Sequence, residues 1–143
     1  MASEDNIAKA RRLLEKGFGE GDLSVVDEYV APDFVEHQNG VQGTGPEAVR
    51  RVIQGLHDSL TDMQYVIEDI VASGDDVWVR ARAGGVNTEP IMGWPATGKA
   101  VEIDVTDIIR FRGGKMVAHW GVADRLGMMQ QLGLLADSLR RVA

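Results

Sequence analysis

The chain contains no cysteine. That excludes a disulfide scaffold, a thiolate zinc site and a cysteine nucleophile. No apolar run approaches the length needed to span a bilayer, and residues 1–22 carry no apolar leader core. A membrane-spanning helix is therefore not expected, and the default location is cytoplasmic. Basic excess is also missing: 15 Lys and Arg stand against 22 Asp and Glu, for a formal net charge of −7. With a pI near 4.9, the chain lacks the positive face that phosphate backbones and anionic lipid surfaces select, so neither nucleic acid nor a membrane is an expected partner. No internal repeat, glycine-rich phosphate loop or Ser/His/Asp elbow is present. The three histidines are not placed at i, i+3 or i, i+4, and no HExxH-type motif occurs, so no metal is expected.

What is present suits one globular domain over residues 1–143. At this length folding buries about 68–70% of the surface of the unfolded chain, and 44% hydrophobic with 26% charged residues is ordinary for such a domain. Ile7, Ala10, Leu14 and Phe18 recur at helical spacing and predict an opening helix from Ser3 to Gly21. Asp22 to Val30 reads as a shorter helix stopped by Ala31-Pro32. Asp33 to Gln38 is expected to be extended, leading into an Asn39-Gly40 turn. Thr44-Gly45-Pro46-Glu47 has the composition of a capped helix start, and Val49, Val52, Ile53, Leu56 and Leu60 supply the apolar stripe that follows.

Beyond Thr61 the period becomes two. Met63–Ala72 and Asp76–Ala83 predict strands joined at Ser73-Gly74-Asp75, and Val86–Gly93 a third strand. Val101–Arg112 and Lys115–Val122 predict a hairpin at Gly113-Gly114. Asp124–Arg141 predicts a closing helical segment with Met128, Leu132, Leu135 and Leu139 on one face. Helices, an antiparallel meander and a last helix make an α+β fold with helices on one face of a curved sheet.

One residue breaks the pattern. From Val101 the odd positions are Val101, Ile103, Val105, Asp107, Ile109 and Phe111, an apolar face interrupted by a single carboxylate. A charge on a buried face costs several kcal/mol unless it is paired or protonated. Asp107 is therefore either a structural ion pair or an acid/base group in a pocket. A three-residue turn at Arg112-Gly113-Gly114 would set it opposite His119, a plausible proton-transfer partner. A two-residue loop would set it opposite Trp120, an indole better suited to a structural bond. His37, His57, Trp94 and Trp120 are candidates to line the pocket. Asp124 is either the N-cap of the last helix or a second pocket carboxylate. Trp78, on the polar face of its strand, hints at a partner on that face.

Three segments carry a family likeness: Ala31-Pro32-Asp33-Phe34-Val35-Glu36-His37, Thr97-Gly98-Lys99, and the stretch from Asp107 through Arg110-Phe111-Arg112-Gly113-Gly114-Lys115 to His119-Trp120. With the Gln131-Leu132-Gly133 ending, they resemble the SnoaL-like polyketide cyclases. The resemblance implies a conical α+β barrel of the nuclear-transport-factor-like kind, usually a homodimer or higher homo-oligomer. It implies an intramolecular aldol-type ring closure on a small, hydrophobic, polyketide-like substrate, with no cofactor. The acid/base would be Asp107 or Asp124, assisted by His119. Asn87 stands where many relatives carry a histidine, and is expected to hydrogen-bond in the pocket. The alternatives are another proton-transfer enzyme on the same cone (an isomerase or an epoxide hydrolase) and a non-catalytic small-molecule binding or dimerisation module, because fold alone does not fix reaction.

Overall fold

A computed structural model describes residues 2–135. Helix α1 spans Ala2–Arg12 and continues into a wider π-helical stretch, Leu13–Gly19. Its inner face carries Ala10, Leu13 and Leu14, all buried. Helix α2 covers Ser24–Tyr29 and runs directly into strand β1, Val30–Glu36. Strand β2, Gly43–Thr44, precedes helix α3, Gly45–Ser59. Thr44 sits at the expected N-cap of α3 but makes no side-chain capping bond. Its backbone is instead extended and pairs with Val35 of β1.

Four long strands follow: β3 Leu60–Ser73, β4 Asp76–Asn87, β5 Ala100–Arg112 and β6 Lys115–Ala123. The sheet order is β2-β1-β6-β5-β4-β3, with no pairing between β2 and β3 among the described residues, so the sheet stays open. Every neighbouring pair is antiparallel except β1 and β6. That parallel pair joins β1, which follows the first helices, to the last strand of the meander, while the chain itself enters the meander from α3 into β3.

The expected strand Val86–Gly93 does not form. Strand β4 runs through Gly84-Gly85 to Asn87, and the chain then leaves the sheet as a loop. The two glycines do not end the strand; Gly84 lets β4 lie close to β5 and Gly85 lets it lie close to β3. A side chain at Gly84 would run into the carbonyl of Val101. Past Asn87, the ladder gives way to bonds of the Asn87 side chain and to backbone bonds from Thr88 and Glu89 to the Ser59 carbonyl, and Pro90 has no N–H to offer. Only the Ile91–Trp94 bridge remains.

Helix α4 is short, Arg125–Gln131. The expected helix does not continue through residues 132–135, which form a turn and irregular chain; residues 136–141, with Leu139, lie outside the described residues.

The helices cover the inner face of the sheet. Leu13, Val25, Val26, Phe34 and Ile53 pack there against Val77, Val79, Ile109 and Phe111. A second apolar cluster, Leu60, Ile91, Val101 and Leu132, closes the other end. Along β5, Ile109 and Phe111 belong to the first cluster and Val101 to the second. Asp107 lies between them.

Candidate active site

The alternation on β5 holds: Val101, Asp107, Ile109 and Phe111 are buried, whereas Glu102, Asp104, Thr106, Arg110 and Arg112 are exposed. Asp107 is 5% exposed. Its register partner across the hairpin is neither of the two expected, although its side chain does meet His119, one of those two. Arg112 pairs with Lys115, so Gly113-Gly114 alone form the loop. The register then shifts between Arg110 and Phe111, leaving Val117 as an extra residue on β6. This bulge sets Asp107 opposite Gly121 and Ile109 opposite His119. Directly paired residues share a face, so His119 and Gly121 point inward with Asp107 while Trp120 turns outward.

His119 joins two carboxylates. Its Nε2 lies 2.7 Å from Asp107 Oδ1, and its Nδ1 lies 2.7 and 2.9 Å from the two oxygens of Glu36. Glu36 is the register partner of His119 across the parallel β1–β6 pair. On the other side of Asp107, the Tyr65 hydroxyl of β3 donates to Oδ2. Glu36 and His119 are each 8% exposed and Tyr65 9%. Among the described residues no buried side-chain nitrogen or oxygen lacks a partner.

With both carboxylates ionised, the imidazole donates from each nitrogen, which requires both nitrogens to be protonated. Burial alone would lower its pKa. The bonds to Asp107 and Glu36 and their negative charges outweigh burial and raise it to about 9. Burial, followed by the charge and hydrogen bond of Asp107, raises Tyr65 above the usual phenol range. Gly121 makes room for this arrangement: a Cβ there would come within 2.8 Å of His119 Cε1 and collide with Gln38 Oε1. The Gln38 backbone N–H in turn donates to Glu36 Oε1 at 2.9 Å.

Ile103 and Val105, on the same face of β5, are only half-buried. Ile103 packs with Leu56, Met63 and Met128 against the second apolar cluster, and these three are also incompletely buried. The inner face next to Asp107 is thus apolar and unsealed. Among the described residues no three His, Asp or Glu groups are arranged to hold a metal ion. Glu36 and Asp107 occupy opposite nitrogens of one ring and do not converge on a point.

The other expected site residues lie elsewhere. Asp124 is exposed and caps α4, its Oδ1 accepting from the Gly127 N–H at 2.8 Å. It borders a concavity of about 490 Å³ with Asp104, Thr106 and Val122 on the outer side of the sheet, which does not include Asp107 or His119. His37 is exposed and stacks on Trp120, ring centroids 4.8 Å apart, with Arg110 on Trp120 at 5.0 Å. Both aromatic rings therefore belong to the outer face, because the bulge reverses Trp120 and alternation in β1 reverses His37. His57 Nε2 donates to the Phe18 carbonyl at 2.8 Å and ties α3 to the π-helical stretch.

Asn87 is fully buried and fully used. Its amide donates to the Ser59 and Glu89 carbonyls, and its Oδ1 accepts from Thr97 N and Oγ1. No hydrogen-bonding capacity is left for a ligand. Trp94 is 44% exposed on the loop that Asn87 anchors. Glu36 and Tyr65 were not among the expected site residues. Glu36 was accessible to parity, since it shares the face of buried Phe34. The bulge left one trace, the run Met116-Val117-Ala118, in which alternation fails.

An open, mostly antiparallel sheet wrapped by N-terminal helices, with ionisable groups at the middle of an apolar inner face, defines a cone-shaped α+β domain of the nuclear-transport-factor-like class. Residues 8–132 match the SnoaL-like polyketide cyclase family, and the chain belongs to it. It is 30% identical over 111 residues to aklanonic acid methyl ester cyclase DauD of Streptomyces sp. (strain C5), covering 76% of this chain and 67% of that protein. It is 31% identical over 108 residues to aklanonic acid methyl ester cyclase DnrD of Streptomyces peucetius, covering 74% and 72%. The structure of TsrD from Streptomyces laurentii superposes with a TM-score of 0.81 at 29% identity, over 90% of this chain and 97% of that one. Among the described residues no helix is long and apolar enough to cross a membrane.

Proposed function

We propose that the chain is a polyketide cyclase that closes a ring by an intramolecular aldol reaction, with Asp107 as the group that takes and returns the proton. The observation that carries this reading is a carboxylate on an apolar inner face, held by His119 and Tyr65 beside the half-buried Ile103 and Val105. The names of the relatives support the substrate class, a small hydrophobic polyketide-like ester.

In the first step Asp107 removes a proton from a carbon between two carbonyls, and the C–H electron pair passes into the enolate. That carbon then attacks a second carbonyl of the same molecule, and a C–C bond forms as the C=O π pair moves to oxygen. The protonated Asp107 returns its proton to the new alkoxide. Atoms balance within one molecule, so no oxidant, reductant or co-reactant is needed. An apolar wall that keeps the chain folded adds the advantage of proximity.

The test is incubation with linear β-polyketone methyl esters. The expected product has the mass of the substrate, one fewer ketone and one new tertiary alcohol, detected by mass spectrometry and carbon NMR. No conversion above the protein-free rate across such a panel overturns the reading.

A homodimer is the second part of the proposal. Val71, Trp78, Ile108 and Trp120 form one cross-strand row on the outer face, with Val71 59% and Trp78 47% exposed. The Asp69–Arg80 and Asp76–Arg110 pairs lie near it, so the surface carries both signs and complements a second copy of itself. Sedimentation equilibrium is expected to show a dimer that Trp78→Glu converts to monomer; a monomeric wild-type chain would refute it.

A further inference from the structure

We infer that Glu36 is a positioning residue, whose carboxylate behind His119 keeps the imidazole doubly protonated and thereby keeps Asp107 a carboxylate between turnovers. The inference rests on the reading of Asp107 as the proton-transferring group.

The charge balance shows why a second carboxylate matters. Asp107 and His119 alone could hold one shared proton in two ways. They could be an ion pair, or a neutral acid beside a neutral imidazole. In a buried site the neutral pair escapes the cost of two desolvated charges, and it leaves Asp107 an acid with no carboxylate to act as base. Glu36 changes the comparison, because it sits within 2.9 Å of Nδ1 through both oxygens. Moving the His119 proton to Asp107 would then leave Glu36 as an anion facing a neutral ring. The ion-pair form keeps a cation between two anions instead.

When Asp107 accepts the substrate proton, the His119–Glu36 pair stays balanced and the cluster passes from one net negative charge to none. The ionisable groups facing His119 are Asp107 from β5 and Glu36 from β1. Tyr65 from β3 acts through Asp107. The raised His119 pKa agrees with this arrangement.

The placement of Glu36 fits support rather than chemistry. It is the register partner of His119 on the neighbouring strand and is separated from Asp107 by the whole imidazole ring. Its Oε1 is also fixed by the Gln38 N–H at 2.9 Å. In a Glu36→Gln variant the side-chain amide oxygen could still accept these bonds, so the substitution removes charge while retaining shape.

The experiment is NMR titration of histidine-labelled full-length protein, with the His119 signal assigned from a His119→Gln variant. Its midpoint is expected near 9 in the wild type. Glu36→Gln is expected to lower it by about one pH unit or more, a tenfold loss of proton affinity, and Glu36→Asp to recover part of that change. An unchanged midpoint in a folded Glu36→Gln variant overturns the inference without reference to any substrate.

With a cyclising substrate, Glu36→Gln is expected to leave KM within about twofold and to move the alkaline limb of the pH profile downward with the NMR midpoint, so that the loss of kcat is largest, about tenfold, at pH values above the variant's midpoint. A loss of kcat that is equal at every pH would refute the positioning role. Should the midpoint move while Asp107→Asn retains full turnover, the assignment of Asp107 as the proton-transferring group fails instead. The two results therefore separate.

Discussion

Asp107→Asn is expected to lower kcat by about 10²–10⁴-fold, the usual contribution of one positioned acid/base group. The amide matches the carboxylate in shape but has one acceptor oxygen and an NH2 group in place of the second. Both current partners of Asp107, His119 Nε2 and the Tyr65 hydroxyl, are donors. One of them would therefore face an NH2 group, and a buried unsatisfied donor costs about 1–3 kcal/mol. The variant should unfold at a lower temperature but remain folded at room temperature. Turnover and near-ultraviolet circular dichroism on the same sample separate lost chemistry from lost structure. A folded Asp107→Asn protein with wild-type kcat would remove Asp107 from the mechanism.

Stability should fall as pH rises through the His119 titration. The folded-state pKa is raised from 6.5 to about 9, because the bonds and charges of Asp107 and Glu36 outweigh burial. The folded chain therefore binds more protons than the unfolded chain between those values, and stability decreases with pH across that interval. The contribution is fully present below about pH 6.5 and is lost as pH rises through about 9. Its size is on the order of 3 kcal/mol, since each tenfold gain in proton affinity on folding is worth about 1.4 kcal/mol. Urea unfolding of the wild type on the acid and alkaline sides of that interval should show this loss. The same pair of measurements on His119→Gln should lack most of it. Equal pH slopes in the two proteins would mean that His119 is not held as a cation.

Much of the architecture was legible locally. Period-two alternation from Val101 to Phe111 identified the inward face and made Asp107 its one charged member. Burial confirms both points because each strand alternates independently of what it pairs with. The stripe containing Val49 and Ile53 was likewise enough to orient α3, whose Val49 and Ile53 are buried. Asp124 followed the capping preference of its residue type.

The partners of Asp107 were decided by tertiary structure. A one-residue slip exchanges the two faces of a strand, and the bulge at Val117 is such a slip. It brings His119 inward beside Asp107 and sends Trp120 outward to stack with His37 and Arg110. Neither a two-residue nor a three-residue turn at Gly113-Gly114 encodes it. The same stretch of β6 also pairs with β1, whose register against it shifts between Val30 and Val35, residues far apart from β6 in the chain. Glu36 enters the site through that same pairing, and Tyr65 reaches it from two strands away. The sequence alone determined that a carboxylate would be buried, because side-chain direction within a strand is a local property. Only the assembled sheet determined that a cation would stand between that carboxylate and a second one, because register between distant strands is set by the packing of the whole molecule.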